Sequence, residues 1–359
     1  MALPQPNIVA FPERRSAAPV LVLLTVCLPV VAIVSLTAGS VSIPIRDIAG
    51  ILFGYPSANP AWDQIVVNLR VPRALTAILA GAALSLSGLQ MQTMFRNPLA
   101  GPFVLGISSG ASLGVALVVL AAGAGASTLI AGLDTFGNFG LAFAASTGAG
   151  TVLGLVLGVS RRVENNMTLL ILGLMFGYVS GAMVSVLIYF SASNVAQAYL
   201  IWTFGSFAGV TWSQLTVYGP LAVVGLLVGL FSSKALNALL LGETYAASLG
   251  LTVWRARFWI LSSASMLAGV TTAFCGPIAF LGIAVPHLSR SILNTSDHRV
   301  LIPAACLMGA IVALISDLVA RVPGSHITLP LNAVTALIGA PVVVWIVLRR
   351  RNIKSAFAS

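Results

Sequence analysis

Charge is what this chain has least of. Only 7% of its 359 residues are Asp, Glu, Lys or Arg, against roughly 25% in a soluble domain, too few to coat a globule of this size in water. That deficit excludes a water-soluble enzyme, a nucleic-acid-binding domain and a disordered protein. Lysine is almost missing: Lys234 and Lys354 stand alone, and neither follows a glycine-rich loop, so no P-loop exists to hold nucleotide phosphates. The three histidines, His287, His298 and His326, lie far apart, and Cys27, Cys275 and Cys306 sit singly in apolar segments without Cys-x-x-Cys spacing. With no clustered nucleophile, base or metal-ligand set, the chain reads as a non-enzyme that binds no metal or cofactor itself.

What is present is apolar length. At 58% apolar composition, the chain holds enough hydrophobic residues for roughly ten spans of ~20 residues. The expected fold is therefore all-α, a polytopic bundle of about ten membrane helices. Residues 1–16, with Pro4, Pro6, Pro12 and Glu13-Arg14-Arg15, form a short polar tail, and residues 349–359 form a second. Between them, within 17–348, the expected spans are 17–38, 72–94, 104–124, 138–160, 167–190, 212–233, 254–274, 277–293, 300–320 and 329–348, of which 277–293 is the shortest.

The net charge of +10 is a topology signal once its placement is read. Ten spans put fourteen of the eighteen basic residues on one face, from Arg14 and Arg15 through Arg96, Lys234, Arg257 and Arg290 to Arg349, Arg350, Arg351 and Lys354. By the positive-inside rule that face, with both termini, is cytoplasmic. The opposite face keeps Arg46, Arg70, Arg73 and Arg321. No ionisable residue falls at mid-membrane, where a proton- or sodium-coupled carrier would need one. Asp317 and Arg321, spaced i, i+4 near an outer helix end, are set to pair. Energy for transport must then come from downhill diffusion or from a partner motor.

The longest polar segment on the cytoplasmic side, residues 234–253, reads as an amphipathic stretch, then Gly242-Glu243, then a short helix Thr244–Leu249 closed by Gly250. Two short helices lying across that face suit a partner's groove, and equally an ordinary interfacial position.

Several motifs resemble one family. Arg70-Val71-Pro72-Arg73, the stretch Gly88-Leu89-Gln90-Met91-Gln92 leading to Asn97-Pro98-Leu99-Ala100-Gly101-Pro102, and Leu105-Gly106-Ile107-Ser108-Ser109-Gly110-Ala111 look like FecCD-type permeases of type II ATP-binding-cassette importers for iron-siderophores, haem and vitamin B12. Leu241-Gly242-Glu243, Gly276-Pro277-Ile278-Ala279-Phe280, Pro286-His287, Asp297-His298-Arg299 and Leu337-Ile338-Gly339-Ala340-Pro341 continue the resemblance in the family's order.

The resemblance implies a homodimer in the bacterial cytoplasmic (inner) membrane around one path. It implies two cytoplasmic ATPase subunits carrying the ATP and Mg, and a periplasmic or extracellular substrate-binding protein, with no nucleic acid. It assigns ATPase coupling to Leu241, Gly242, Glu243, Ala246, Leu249 and Gly250, docking of the binding protein to Arg70, Arg73 and Arg321, and a cytoplasmic gate to Asn97, Pro98, Leu99, Asn166 and Met167. The stretch 197–212 matches a short outer helix beside the path, or an aromatic interfacial belt. The expected function is import of a bulky metal chelate, iron-siderophore first, haem second and cobalamin third. The alternative is an ATP-independent channel or secondary carrier.

Overall fold

The computed structural model describes residues 17–39, 41–57, 59–103, 105–121, 135–160, 166–321 and 328–356. Among them the chain is helical throughout its regular structure: α1 Ala18–Thr37, α2 Ile45–Leu52, α3 Pro60–Gln64, α4 Val71–Met94, α5 Ile107–Ala121, α6 Thr135–Ser160, α7 Asn166–Phe190 and α8 Ser193–Thr203. There follow α9 Trp212–Phe231, α10 Ser233–Leu240, α11 Glu243–Ser248, α12 Val253–Cys275, α13 Leu281–Leu293, α14 His298–Ala320 and α15 Leu331–Ala356. Among the described residues seven helices are long and apolar enough to cross a membrane, and Ile107–Leu120 and Leu331–Trp345 are shorter apolar helices. Each apolar run expected from the sequence coincides with one of these helices, with one correction.

The correction concerns 277–293. Only Leu281–Leu293 is helical there, about 20 Å at 1.5 Å per residue, short of a ~30 Å hydrocarbon core. The residues before it are non-helical, with Gly276 at φ +71° and Phe280 at φ +68°. A side chain at Gly276 would meet the Trp202 carbonyl at 2.3 Å. The peptide N–H of Ala279 is satisfied by Asn332 Oδ1 at 3.0 Å. Irregular backbone at this depth survives only where protein surrounds it, and apolar composition alone does not distinguish it from helix.

α4 is the axis of the bundle. Its span is 83% buried, whereas that of α1 is 11% buried, and α9, α12, α13 and α14 all pack on it. Lipid supplies no hydrophobic drive for helix association, so bare backbone contact has to do it. A Cβ on Gly81 would fall 2.2 Å from the Gly309 carbonyl of α14, and one on Gly88 would fall 1.6 Å from the Gly282 carbonyl of α13. Polar side chains add directional ties: Ser87 Oγ donates to the Ala264 carbonyl (2.9 Å), Gln90 Nε2 to Ser263 Oγ (3.1 Å), and Ser263 Oγ to the Gly225 carbonyl (2.8 Å). These join α4 to α12 and α9. A second close pair, α5 with α6, meets at Gly110 and Gly148.

α4 is entered through a π-helical turn, Ile65–Arg70. Pro72 in the first turn of α4 has no N–H to offer the carbonyl four residues earlier, and the wider turn accommodates that gap.

Gly88→Ala is expected to lower the thermal unfolding temperature of the detergent-solubilised protein by several degrees, the overpacking cost of about 1–3 kcal/mol or more. Gly219→Ala, with nothing within 4 Å of the added carbon, is expected to leave it unchanged.

Candidate functional site

One end of the bundle is an arginine clamp. Arg70, at the close of the π-turn, donates to the carbonyls of Leu36, Thr37 and Val41. Arg321 donates to the carbonyls of Ser35 (2.9 Å) and Ala38 (3.0 Å) and to Ser35 Oγ (2.7 Å). The last turn of a helix leaves carbonyls without intrahelical donors, and cationic side chains suit that negative pole. Two guanidiniums therefore finish α1. Asp317 closes the cluster, accepting from Arg73 Nε at 2.9 Å and from Arg321 Nε at 3.0 Å, with ion pairs to both. The i, i+4 pairing of Asp317 with Arg321 is as expected; the participation of Arg73, 244 residues away, is not visible in the sequence.

Of the three arginines assigned to docking, Arg70 and Arg321 do not stand free: they are 6% and 9% exposed with their donors turned inward. Arg73 borders a cavity of about 410 Å³, which Asp317, Phe204, Ser206 and Leu331 also line. α8 lies beside it. The aromatic residues of the stretch 197–212 divide: Tyr199 is buried, lies 5.3 Å from Trp202 between the centroids of mutually tilted rings and donates to the Ser112 carbonyl at 3.2 Å, and Phe207 is fully buried, whereas Phe204 and Trp212 are exposed.

The other end carries Arg96, Lys234, Arg257 and Arg290. Here α10 and α11 form the two-helix knob expected from the sequence, and the punctuation is glycine in both cases. Gly242 sits at φ +115° as the N-cap of α11, and Gly250 at φ +85° after its end, a backbone region that side chains rarely adopt. The N–H of Leu251 reaches the Ala246 carbonyl (3.1 Å) and that of Gly250 the Ala247 carbonyl (2.9 Å), a Schellman closure. Glu243 pairs with Arg257 of α12, and Ala246 is buried beneath the knob. Leu241, Tyr245 and Leu249 are 64%, 52% and 61% exposed, a rigid apolar crown on a charged end.

Between α4 and α5 the chain turns at Asn97-Pro98-Leu99. Asn97 Oδ1 accepts the Leu99 N–H at 2.9 Å and the Asn97 carbonyl the Ala100 N–H at 3.1 Å, so the turn is locally ordered. Asn166 and Met167 open α7. Asn165 and His326 lie outside the described residues.

The letters Gly106-Ile107-Ser108-Ser109-Gly110 match a serine nucleophile elbow. That motif needs the serine presented at a strand-to-helix turn beside a base. Ser108 is instead fully buried in the first turn of α5, its hydroxyl without a hydrogen-bond partner among the described residues.

Removing one member of a buried ion pair costs about 3–5 kcal/mol. Asp317→Asn is therefore expected to lower the unfolding temperature clearly more than Arg73→Gln, because it strips two guanidiniums at once; differential scanning fluorimetry of both variants checks this.

The FecCD transport family model matches residues 27–349. The vitamin B12 import system permease BtuC of Citrobacter koseri is 37% identical over 290 residues, covering 81% of this chain and 84% of that protein. The protein of the same name from Klebsiella pneumoniae is 37% identical over 329 residues, covering 92% and 93%. In structure the chain is similar to one described as a metal-chelate type ABC transporter in an inward-facing conformation, with a TM-score of 0.78 and 30% identity over 92% of this chain and 99% of that one. The protein belongs to the FecCD transport family, as a permease subunit of a type II ABC importer.

Proposed function

We propose that two copies of this chain line a path through which a bulky metal chelate passes from a substrate-binding protein to the cytoplasm, driven by two ATPase subunits. The observation that carries this reading is the glycine-capped knob of α10 and α11, whose apolar crown of Leu241, Tyr245 and Leu249 is exposed while Ala246 anchors it. Exposed apolar side chains on an otherwise charged end need a partner to cover them, and a short rigid element converts a partner's closure into rigid-body motion. Leu241, Gly242, Glu243, Ala246, Leu249 and Gly250 are the coupling residues in this reading, and the ordered turn at Asn97, Pro98 and Leu99, together with Asn166 and Met167, is the gate. The knob's end is cytoplasmic by its cationic excess, as are both termini.

Cobalamin stands ahead of iron-siderophore as cargo, reversing the order expected from sequence, because relatives covering most of the chain carry vitamin B12 permease names. The docking reading narrows to a division of labour: Arg70 and Arg321 hold the loop after α1 in place, and Arg73, on the rim of the outer cavity, meets an acidic group of the binding protein. Arg favours such carboxylate pairing. An autonomous channel or carrier has no use for the knob.

Gentle purification of the tagged chain from its native membrane, followed by mass spectrometry, is expected to recover a P-loop ATPase; recovery of the chain alone, even after cross-linking, would overturn the importer reading. Within the complex, Gly242→Val and Glu243→Arg are each expected to cut uptake at least tenfold while the unfolding temperature stays within a few degrees. Binding of the substrate-binding protein is expected to weaken with salt in the native complex, and to weaken several-fold in Arg73→Gln, measured by surface plasmon resonance.

A further inference from the structure

Behind the knob lies a buried polar network that no apolar packing argument requires. His298, the first residue of α14, is fully buried, as are Gln92 and Thr93 in the last turn of α4. Asn237 of α10 reaches into the cluster. Its Oδ1 accepts the backbone N–H of His298 at 2.8 Å and lies 2.8 Å from His298 Nδ1, while its Nδ2 donates to Asp297 Oδ1 at 2.7 Å. Asp297 is a carboxylate held below its usual range, first by the Arg299 N–H and then by the Asn237 amide.

These bonds fix the amide orientation, so the oxygen facing Nδ1 can only accept. Nδ1 therefore donates, and Nε2 lies 2.8 Å from Thr93 Oγ1, whose single proton is also in reach of the Leu89 carbonyl at 2.9 Å. Arg290 of α13 adds bonds to Gln92 Oε1 (2.8 Å) and Thr93 Oγ1 (3.2 Å), and Gln92 Nε2 donates to the Ile283 carbonyl (3.0 Å).

A second tie runs beside it. Arg96, at φ +46° just past the end of α4, donates to the Leu239 carbonyl of α10 at 3.3 Å, and a Cβ on Gly242 would come within 2.7 Å of its guanidinium. Arg96 immediately precedes the Asn97-Pro98-Leu99 turn. The knob is thus tied at Asn237, through His298 of α14, to Thr93 in the last turn of α4, and at Leu239 to Arg96 just past that turn, next to the gate. Apolar surfaces slide over one another at little cost; directional bonds at both ends of an imidazole do not, since leaving one unmade in a buried site costs its desolvation.

We propose that His298, with Asn237 and Thr93, is a positioning residue that locks the knob to the end of α4, so that displacement of the knob is delivered to the Asn97-Pro98-Leu99 turn. The proposal rests on the coupling and gating roles given above. His298 lies beneath the surface and meets neither the ATPase nor the path; its work is transmission, for which a bonded element with two arrangements is the physical requirement.

The test uses the full complex of permease, ATPase and binding protein in lipid vesicles, with Leu99→Cys as reporter. ATP hydrolysis is read by phosphate release, and the gate by the rate at which a bulky maleimide labels that cysteine with and without ATP. In the otherwise native complex ATP is expected to change the labelling rate at least fivefold. Thr93→Val, which keeps side-chain shape and loses the hydroxyl, and His298→Leu are each expected to shrink that change below twofold, with hydrolysis within twofold of native. Thr93→Ser is expected to restore it. A Thr93→Val complex that labels like the native one, or one in which hydrolysis and labelling fall together, would overturn the proposal. No ATP-dependent change in the native reporter complex would instead overturn the gate assignment beneath it, and failure to recover any ATPase with the chain would overturn the importer reading itself.

Discussion

The structure depends on backbone meeting backbone along α4. Where Gly81 faces Gly309 and Gly88 faces Gly282, there is no room for a single additional carbon, and the dispersion gained by bare helices in contact replaces the solvent-driven association available to soluble bundles. Such contact is short-ranged and shape-specific. It holds α13 and α14 at fixed heights against α4, and the polar residues at the two ends of α4 can then be aligned with partners on three or four other helices.

Those two ends are built on different chemistry. At one, Arg70 and Arg321 finish the carbonyls of α1 while Arg321 and Arg73 share the buried Asp317 carboxylate, an arrangement whose charges are spent internally apart from the rim of Arg73. At the other, amide, hydroxyl and imidazole groups form the interior ties, with the Asp297 carboxylate and the Arg290 and Arg96 guanidiniums bonded into them. A charged clamp resists any rearrangement that would separate its members, since each separated ion would be left desolvated.

Much of this was legible in the sequence, and what was not has a common cause. The apolar runs give away the helices because crossing a bilayer is a length requirement written in composition. The knob is legible because glycine at 242 and 250 punctuates locally, and the Asp317–Arg321 pair because i, i+4 is a neighbour relation on any helix. The run 277–293 misleads, since Gly276–Phe280 is irregular backbone in which the Ala279 N–H is satisfied from Asn332, more than fifty residues on. Arg70 and Arg321 read as docking cations because nothing near them in sequence reveals that carbonyls between residues 35 and 41 lie against them. The triad of Thr93, Asn237 and His298 carries no signal at all in one dimension: a threonine at a helix end, an asparagine in an amphipathic stretch and a histidine after an aspartate are each unremarkable until the fold brings them within 3 Å.

The clamp on α1 also has a consequence in time. Ser35 and Arg321, which bond in the finished protein, are 286 residues apart in the chain. At a synthesis rate of about 5–20 residues per second, α1 leaves the ribosome roughly 15–60 s before the guanidinium that completes its last turn. Arg70 reaches the Leu36 and Thr37 carbonyls early, but those of Ser35 and Ala38 are left to water at the interface through that interval, and the helix takes its final place only when α14 arrives. The first helix made is thus among the last to be secured, and biogenesis of the bundle closes at the end where its cargo would enter.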